Sequence, residues 1–325
     1  MSVIIFSDRE DLHADCIVSA LKERGEDAIR LSPIDDFNKE FFFSSSRQES
    51  FVLGGEEVKL SEVTGVYCRV AIERLSECFM PRNPLERYCI EEESSAWLTA
   101  LLQIPGRCWI NDPRHEIWSD VKPHSLLIAS QIGLLVPNFI ISNSISRSEK
   151  FSASGQKVIK PISDASLARQ RGEYVDVPGF SSFDSVGTSF FRSDKFNPQE
   201  VNDTPFLLQE YIQRREEYRV TVVDDRVIAG RTIIESELLD IKDSTGQDYI
   251  LCQIPRDQEV LLQRLMRALG LRICTFDMIV AGDGILYLLD INPGGNWLWL
   301  DLQFGGLISG KIASGLLRGS VAQIP

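Results

Sequence analysis

One stretch near the C-terminal end, CTFDMIVAGDGILYLLDIN, constrains the fold more than any other part of the sequence. Two apolar runs flank the turn sequence Ala281-Gly282-Asp283-Gly284, and this pattern predicts an antiparallel β-hairpin. Acidic residues interrupt both apolar runs, at Asp277 and Asp290, and Asn292 follows. Two acids and an amide inside otherwise apolar strands favour a functional site over carboxylates that merely solvate a strand end.

The register of this hairpin indicates which side chains meet. A two-residue turn would place Val280 opposite Ile285, and the two-residue alternation of strands then puts Asp277 on the same face as Asp290 and Asn292. Asp277 and Asp290 would be diagonal neighbours with backbones about 7–8 Å apart. Oxygen ligands without His or Cys nearby favour magnesium, which completes its shell with water and phosphate. The hairpin therefore predicts a magnesium site at Asp277, Asp290 and Asn292.

Strands and helices alternate in the first third of the chain, which indicates an α/β fold. Hydrophobic periodicity predicts strands at residues 2–7, 27–31 and 63–70 and helices at residues 10–24 and 84–103. The buried face of the first helix is predicted to consist of Leu12, Cys16, Ile17, Ala20 and Leu21. No GxGxxG follows the first strand, so this lobe is not expected to bind NAD.

The rest of the chain shows a second group of elements. A helical stretch leads to Gly133, and strands are predicted at residues 135–142 and 157–161. Later elements are the strands FLLQEYI and YRVTVVDDRVIAGRTI, a helix at residues 257–269 and a closing helix at residues 308–317.

Composition and charge exclude several classes of protein. The formal net charge of −13 argues against a nucleic-acid or membrane-surface partner, since both are polyanions. The seven cysteines include no CxxC pair, which argues against a zinc site and favours reduced thiols. The N-terminus has no signal-peptide pattern and no run of 18 apolar residues occurs, so a cytoplasmic protein is expected.

Several motifs together resemble the ATP-grasp family. The hairpin sequence DMIVAGDGILYLLDINPGGNW resembles the metal-binding hairpin of that family. CWINDP, the lysine of WSDVKPHSLLIASQIGLLVP, the lysine of KVIKP, LLQEYI and EYRVTVVDDRVIAG occur in the family's order along nearly the whole chain. NPGGNWLWLD, with WIN and CRV upstream, is most similar to the ligases that cyclise ribosomal peptides, the microviridin or graspetide type.

This resemblance implies an ATP-grasp fold in which two lobes clasp ATP. An N-terminal pre-ATP-grasp α/β domain would span residues 1–112, a central lobe residues 113–205, and a C-terminal lobe with the metal site residues 206–325. The implied activity is an ADP-forming ligase that uses ATP and Mg²⁺. The implied partner is a ribosomal precursor peptide, leader plus core, and a homodimer is compatible with the family.

The resemblance also implies roles for individual residues. Lys122 and Lys160 would contact ATP phosphates. Two cations at one place would offset the repulsion between an acidic protein and the negatively charged phosphates. The adenine would be read by the hinge between the lobes, and the nucleotide site comprises Gln209, Glu210, Tyr211, Ile212 and Glu217. The sequence leaves open that Tyr211 and Ile212 only pack the core.

Three further residues are assigned to catalysis with Lys160. Arg219 matches an arginine near the terminal phosphate, where a planar fork holds two oxygens, although a surface ion pair is an alternative. Asp240 and Lys242 match an acid-x-base element of related peptide ligases. Two features depart from the family: residues 162–174 contain a single glycine where many members have a glycine-rich loop, and Asp290 stands where Glu is common.

The implied reaction converts an Asp or Glu side chain of the precursor into an acyl phosphate, which an intramolecular hydroxyl or amine then attacks. Two alternatives remain at this point: a ligase that joins an amino acid to a peptide or small metabolite, and a non-catalytic nucleotide-dependent peptide-binding module. The weakly periodic residues 163–204 are a candidate leader-binding segment, because they include Phe180, Phe183, Phe190 and Phe191. Packing of these phenylalanines onto their own lobe is the alternative.

Overall fold

The computed structural model describes residues 2–32, 41–43, 50–53, 56–59, 62–69, 83, 85–86, 93, 109–160, 162, 189–191, 205–233 and 248–318. The strands in chain order are β1 (Ser2–Phe6), β2 (Ala28–Leu31), β3 (Phe41–Phe43), β4 (Ser50–Leu53), β5 (Glu56–Lys59), β6 (Val63–Cys68), β7 (Trp109–Ile110), β8 (Phe139–Ser142), β9 (Lys157–Lys160), β10 (Ser189–Phe190), β11 (Phe206–Glu210), β12 (Arg214–Val223), β13 (Arg226–Ile233), β14 (Ile250–Cys252), β15 (Ile273–Ala281) and β16 (Leu286–Asn292). The helices are α1 (Leu12–Lys22), α2 (Pro113–Asp120), α3 (Lys122–Ile132), α4 (Ile145–Ser152), α5 (Arg256–Leu269), α6 (Leu298–Gln303) and α7 (Leu307–Leu317).

The first lobe is built on a parallel sheet in the order β2-β1-β6-β7, which agrees with the α/β class that the alternation of strands and helices predicted. Helix α1 begins after Asp11, whose side chain accepts a hydrogen bond from the His13 amide. One residue of its predicted buried face is wrong, because Leu12 is 60% exposed. The predicted helix at residues 84–103 lies largely outside the described residues.

A second sheet is antiparallel, with the order β10-β9-β11-β8, and it joins three strands of residues 113–205 to β11, the first strand of residues 206–325. The short strands β3, β4 and β5 form a separate antiparallel sheet. The five-stranded sheet β14-β13-β12-β15-β16 is the largest of the described part of the chain, and each of its strand pairs is antiparallel.

The two faces of the five-stranded sheet differ in chemistry. One face packs against α3 and α5 through buried apolar side chains, including Val220, Phe276 and Met278 from the sheet and Leu262 and Leu265 from α5. The opposite face carries polar side chains near its centre and apolar ones at one end. The amphipathic α5 therefore fixes which face of β12 and β15 remains open to a ligand.

The first lobe and the C-terminal part of the chain share one apolar core. Side chains from β1, α1 and β6 pack with those of α6 and α7, so that Ile5, Ile17 and Tyr67 lie in the same cluster as Trp297 and Ile312. Burial of such continuous apolar surface stabilises the contact between the two parts. Within the described residues, no helix is both long and apolar enough to cross a membrane.

The contact between β6 and α7 yields a test of this shared core. A Cβ on Gly65 of β6 would lie 2.5 Å from the backbone oxygen of Leu316 and 2.8 Å from its Cα. We expect Gly65→Ala to lower the free energy of unfolding by about 1–3 kcal/mol, because backbone atoms cannot move aside easily. Gly282→Ala is the matched control, since nothing lies within 4 Å of its added Cβ. Equal midpoints of urea unfolding for both variants would contradict the close approach of β6 and α7.

Candidate active site

Polar side chains concentrate on one face of the five-stranded sheet, where β12, β15 and β16 lie side by side. Across the ladders, Asp277 lies opposite both Arg219 and Asp290. Thr275 lies opposite Asn292. Because directly opposed residues project to the same face of a sheet, these five side chains form one polar surface.

The register of the β15–β16 hairpin corrects the sequence prediction. Val280 lies opposite Leu286, one residue further along β16 than predicted. That shift alone would carry Asp290 to the opposite face from Asp277. A register irregularity next to Asp277 leaves Leu289 as an extra residue and restores the shared face. The two acids are therefore directly opposite each other, and the predicted diagonal arrangement is wrong.

Asp277 forms an ion pair with Arg219 across the β12–β15 ladder. The side chains are only 10% and 12% exposed for Arg219 and Asp277, respectively. The Arg219 guanidinium also lies 6.0 Å from the centre of the Trp299 ring. The surface ion pair considered from the sequence is thus replaced by a buried one, in which each charge offsets the desolvation of the other.

Two lysines from different elements reach the strand that carries Asp290. Lys122, at the start of α3, donates from Nζ to both carboxylate oxygens of Asp290 at 2.9 Å. Lys160, at the end of β9, donates from Nζ to the carbonyl of the extra residue Leu289 at 3.2 Å. Burial alone would raise the pKa of Asp290, but the Lys122 and Lys160 ammonium groups outweigh burial and hold this pKa below its ordinary value.

Strand β11 carries one polar side chain, Gln209, on the face of the sheet that Lys160 shares. Gln209 is 1% exposed, and within the described part of the chain its Nε2 has no hydrogen-bond partner. Leu207 lies opposite Lys160, so the alternation of β11 puts Gln209 on the same face as Lys160. A buried amide donor of this kind is usually satisfied, which favours a ligand on this face.

The backbone amides of the next two residues are engaged by carbonyls of the chain itself. The Glu210 amide donates to the Asn138 carbonyl at 2.8 Å, and the Tyr211 amide donates to the Gln156 carbonyl at 3.1 Å. These two amides are therefore engaged by other backbone groups of the chain, and the assignment of Glu210 and Tyr211 to nucleotide binding stays a prediction. The assignment of Ile212 stays a prediction.

Glu217 is fully buried on β12 and is held by other residues of the chain. It pairs with Arg214, and its Oε2 accepts a hydrogen bond of 3.3 Å from the Tyr249 hydroxyl. These contacts orient a carboxylate on the same face as Arg219, two residues away. Its assignment to nucleotide binding stays a prediction.

Several residues with a predicted role lie outside the described residues or away from the polar face. Asp240 and Lys242 lie outside the described residues, as does most of the candidate leader-binding segment 163–204, including Phe180 and Phe183. The two described phenylalanines of that segment pack against β11 and the residue after it: Phe190 contacts the Tyr211 ring edge-on with centroids 5.0 Å apart, and Phe191 stacks on Phe206. These contacts are local packing, and leader binding by the segment stays a prediction.

Three residues beside the site had no assigned role in the sequence. Arg69 follows β6, Asn111 follows β7, and Glu116 projects from α2 toward the loop after β16. The Glu116 Oε1 lies 2.8 Å from the position that a Cβ on Gly294 would take. Arg69 lies in CRV and Asn111 lies in WINDP. Both sequences contributed to the family resemblance, but the resemblance assigned no chemical role to either residue.

The donor set of the polar face suits a hard cation. Asp277 and Asp290 supply two carboxylates, and Asn292 adds an amide oxygen. Magnesium is commonly held by one or two carboxylates, with its other positions left to water and phosphate. Among the described residues, no group of three or more His, Cys, Asp and Glu side chains is placed to hold a metal ion.

Comparison with known proteins identifies the fold. No protein-family model and no curated protein sequence matches the chain. The macrocyclase MdnC from Microcystis aeruginosa MRC, solved with its precursor peptide MdnA, is similar with a TM-score of 0.78 at 21% identity, over 98% of this chain and 100% of MdnC. The RiPP-associated ATP-grasp ligase of Chryseobacterium gregarium, in complex with ADP and a leader and core peptide, gives 0.80 at 20% identity, over 98% and 97% of the two chains.

A third similar structure is the ATP-grasp ligase PsnB with minimal precursor, Mg and ADP, at a TM-score of 0.75 and 19% identity, over 98% of this chain and 97% of PsnB. The shared topology extends over nearly the whole length of each chain. The protein therefore has the ATP-grasp fold, as its motifs predicted.

The carboxyl of Glu116 yields a pH test of the site. Burial, followed by the neighbouring Asp120 carboxylate, raises the pKa of Glu116 from 4.5 to about 7 against the lowering effect of Arg69. Between pH 4.5 and about 7, the folded chain thus binds more protons than the unfolded chain. The free energy of unfolding therefore falls as the pH rises through this range. In Glu116→Gln this contribution is absent.

We expect the stability of Glu116→Gln relative to the unchanged protein to rise by about 1–2 kcal/mol between about pH 5 and about pH 8. Denaturant unfolding at the two pH values measures this, with the exposed Glu23→Gln as control. A stability difference independent of pH for Glu116→Gln would show that this carboxyl is not buried beside the loop.

Proposed function

We propose that the protein is an ATP-dependent carboxylate ligase that forms intramolecular crosslinks in a ribosomal precursor peptide. The observation that carries this proposal is the convergence of Lys122 and Lys160 on the strand end at Leu289 and Asp290. Two cations from separate elements, α3 and β9, placed at a pair of carboxylates in an ATP-grasp fold, form a site for a phosphate chain with its metal ion.

ATP would lie in the cleft between the central lobe, residues 113–205, and the C-terminal lobe, residues 206–325. Lys122 and Lys160 would bind its phosphates, which overcomes locally the repulsion from a chain of net charge −13. The adenine would meet the hinge from Gln209 to Ile212, where the buried Gln209 amide lacks a partner in the described part of the chain. Residues 1–112 form the third unit of this proposed division.

Asp277, Asp290 and Asn292 would hold Mg²⁺. When bound, the ion neutralises charge on the transferred phosphoryl group and orients it. Arg219 lies next to Asp277 on the same face and carries a planar pair of donors. Its fork would stabilise the charge that accumulates on the phosphoryl oxygens and on the acyl phosphate.

The proposed substrate is a side-chain carboxylate of the precursor peptide. A carboxylate oxygen attacks the terminal phosphorus of ATP, the bond to the bridging oxygen breaks, and ADP leaves. A Ser or Thr hydroxyl, or a Lys amine, of the same peptide then attacks the acyl carbon, loses its proton and displaces phosphate. The product is an ω-ester or an ω-amide, and tethering of both groups on one chain supplies a high effective concentration.

The similar structures support a peptide as substrate. MdnC is described as a macrocyclase bound with a precursor peptide, and the Chryseobacterium ligase is in complex with a leader and core peptide. The buried ion pairs of Asp277 and Asp290 favour an enzyme over a binding module, because a module would have little need for both carboxylates. We place this activity in the cytoplasm, where ATP is present, and in a homodimer.

Mass spectrometry tests the proposed reaction. Incubation of the protein with ATP, Mg²⁺ and the precursor peptide encoded next to its gene should lower the peptide mass by one water per ring, with release of one ADP per ring. Asp290→Asn should abolish ADP release, since it removes the paired carboxylate. Asp283→Asn, at the exposed tip of the same hairpin, is the matched control and should retain turnover.

Three outcomes would contradict the proposal. A mass increase that equals one amino acid would favour the intermolecular ligase. ATP binding without any covalent change of the peptide would favour the binding module. Turnover of Asp290→Asn equal to that of Asp283→Asn would overturn the metal assignment.

A further inference from the structure

The loop after β16 is held by side chains of the first lobe. Arg69 donates from Nη1 to the carbonyls of Gly294 at 3.0 Å and Gly295 at 2.9 Å. Asn111 donates from Nδ2 to the carbonyl of Pro293 at 2.9 Å. Three successive carbonyls therefore accept hydrogen bonds from the first lobe, immediately after the strand that carries the candidate metal ligands.

Arg69 is itself fixed on its other side. Its Nε donates to Asp11 Oδ2 at 3.0 Å, and its backbone amide donates to the Phe6 carbonyl at 2.9 Å. Asp11 in turn caps α1 through the His13 amide at 2.9 Å. The rigid guanidinium fork thus connects the start of α1 with the loop, which the single ammonium group of a lysine cannot do with the same geometry.

The loop depends on these hydrogen bonds for its conformation. Gly294 and Gly295 have no side chain to pack, and Gly295 has a positive φ of 56°. A Cβ on Gly295 would lie 2.5 Å from Thr275 Oγ1, so the loop runs close against β15 where Thr275 faces Asn292. A flexible dipeptide at this position would leave the end of β16 poorly defined without its donors.

We propose that Arg69 is a positioning residue that fixes the Pro293–Gly295 loop and thereby orients the Asn292 amide toward the bound metal ion. This inference rests on the proposed function, because it uses Asn292 as a magnesium ligand. Partners that orient metal ligands commonly change metal affinity or activity by about 10–100-fold when they are lost. The first lobe thus takes part in the metal site without contacting the reacting atoms.

Hydrogen exchange of the metal-free protein provides the first readout. In Arg69→Lys, the amides of residues 294–297 should exchange faster than in the unchanged protein. Arg30→Lys is the matched control, because the bonds of Arg30 run to Ser7, Asp8, Asp11 and Asp15, all within the first lobe. Unchanged exchange in Arg69→Lys would overturn the proposal, since the loop would then be fixed by other contacts.

Calorimetric titration with ADP at increasing Mg²⁺ provides the second readout. The Mg²⁺ concentration that half-maximally strengthens ADP binding should rise about 10–100-fold in Arg69→Lys and stay within about 2-fold in Arg30→Lys. Asp11→Asn keeps the arginine but removes its charged partner, and it should shift the Mg²⁺ requirement in the same direction by less. Thermal unfolding identifies temperatures at which every variant is folded.

The outcomes separate this inference from the proposed function. An unchanged Mg²⁺ requirement in folded Arg69→Lys, beside a clear Mg²⁺ effect in the unchanged protein, would overturn the positioning role alone. Faster loop exchange with an unchanged Mg²⁺ requirement would give Arg69 a structural role only and also overturn it. Absence of any Mg²⁺ effect on ADP binding by the unchanged protein would overturn both the metal site and this inference.

Discussion

The pairing of Asp290 with Lys122, with Lys160 beside it, is the interaction on which the arrangement of the site depends. Burial alone would raise the pKa of the Asp290 carboxyl, and the two ammonium groups outweigh burial and lower this pKa below its ordinary value. The same contact draws α3 and β9 toward the end of β16, so elements of two lobes meet at one point. Under the proposed function, Mg²⁺ would replace Lys122 as the partner of Asp290, and phosphate would replace Asp290 as the partner of Lys122.

The two faces of the five-stranded sheet beside this pair have different roles. Apolar side chains on one face of the five-stranded sheet pack on α3 and α5, and this packing leaves the opposite face to polar residues. The charged side chains on that face are paired with one another, as in Arg219 with Asp277 and Arg214 with Glu217, so the ligand-free chain tolerates their burial. The core shared by the first lobe and α7 then holds the loop after β16 in reach of Arg69 and Asn111.

Much of the fold and part of the candidate site could be predicted from the sequence. Physical reasons explain both the features that were predicted and those that were not. The acid, turn and acid pattern predicted the hairpin, and strong periodicity predicted α5 to within one residue of its start at Arg256. The register could not be predicted, because the extra residue at Leu289 is a backbone feature that no side chain type indicates. The role of Arg69 could not be predicted either, since its acceptors are carbonyls more than two hundred positions away, and carbonyls occur in every residue.

The central claim is that Asp290 and Lys122 exchange partners when nucleotide and metal bind, and ADP affinity with and without Mg²⁺ tests it most directly. Without Mg²⁺, Asp290→Asn should bind ADP more tightly than the unchanged protein, because Lys122 is released for phosphate and a negative charge is removed. With Mg²⁺, the order should reverse, because the variant has lost a metal ligand. Calorimetric affinities that keep the same order under both conditions would contradict this account.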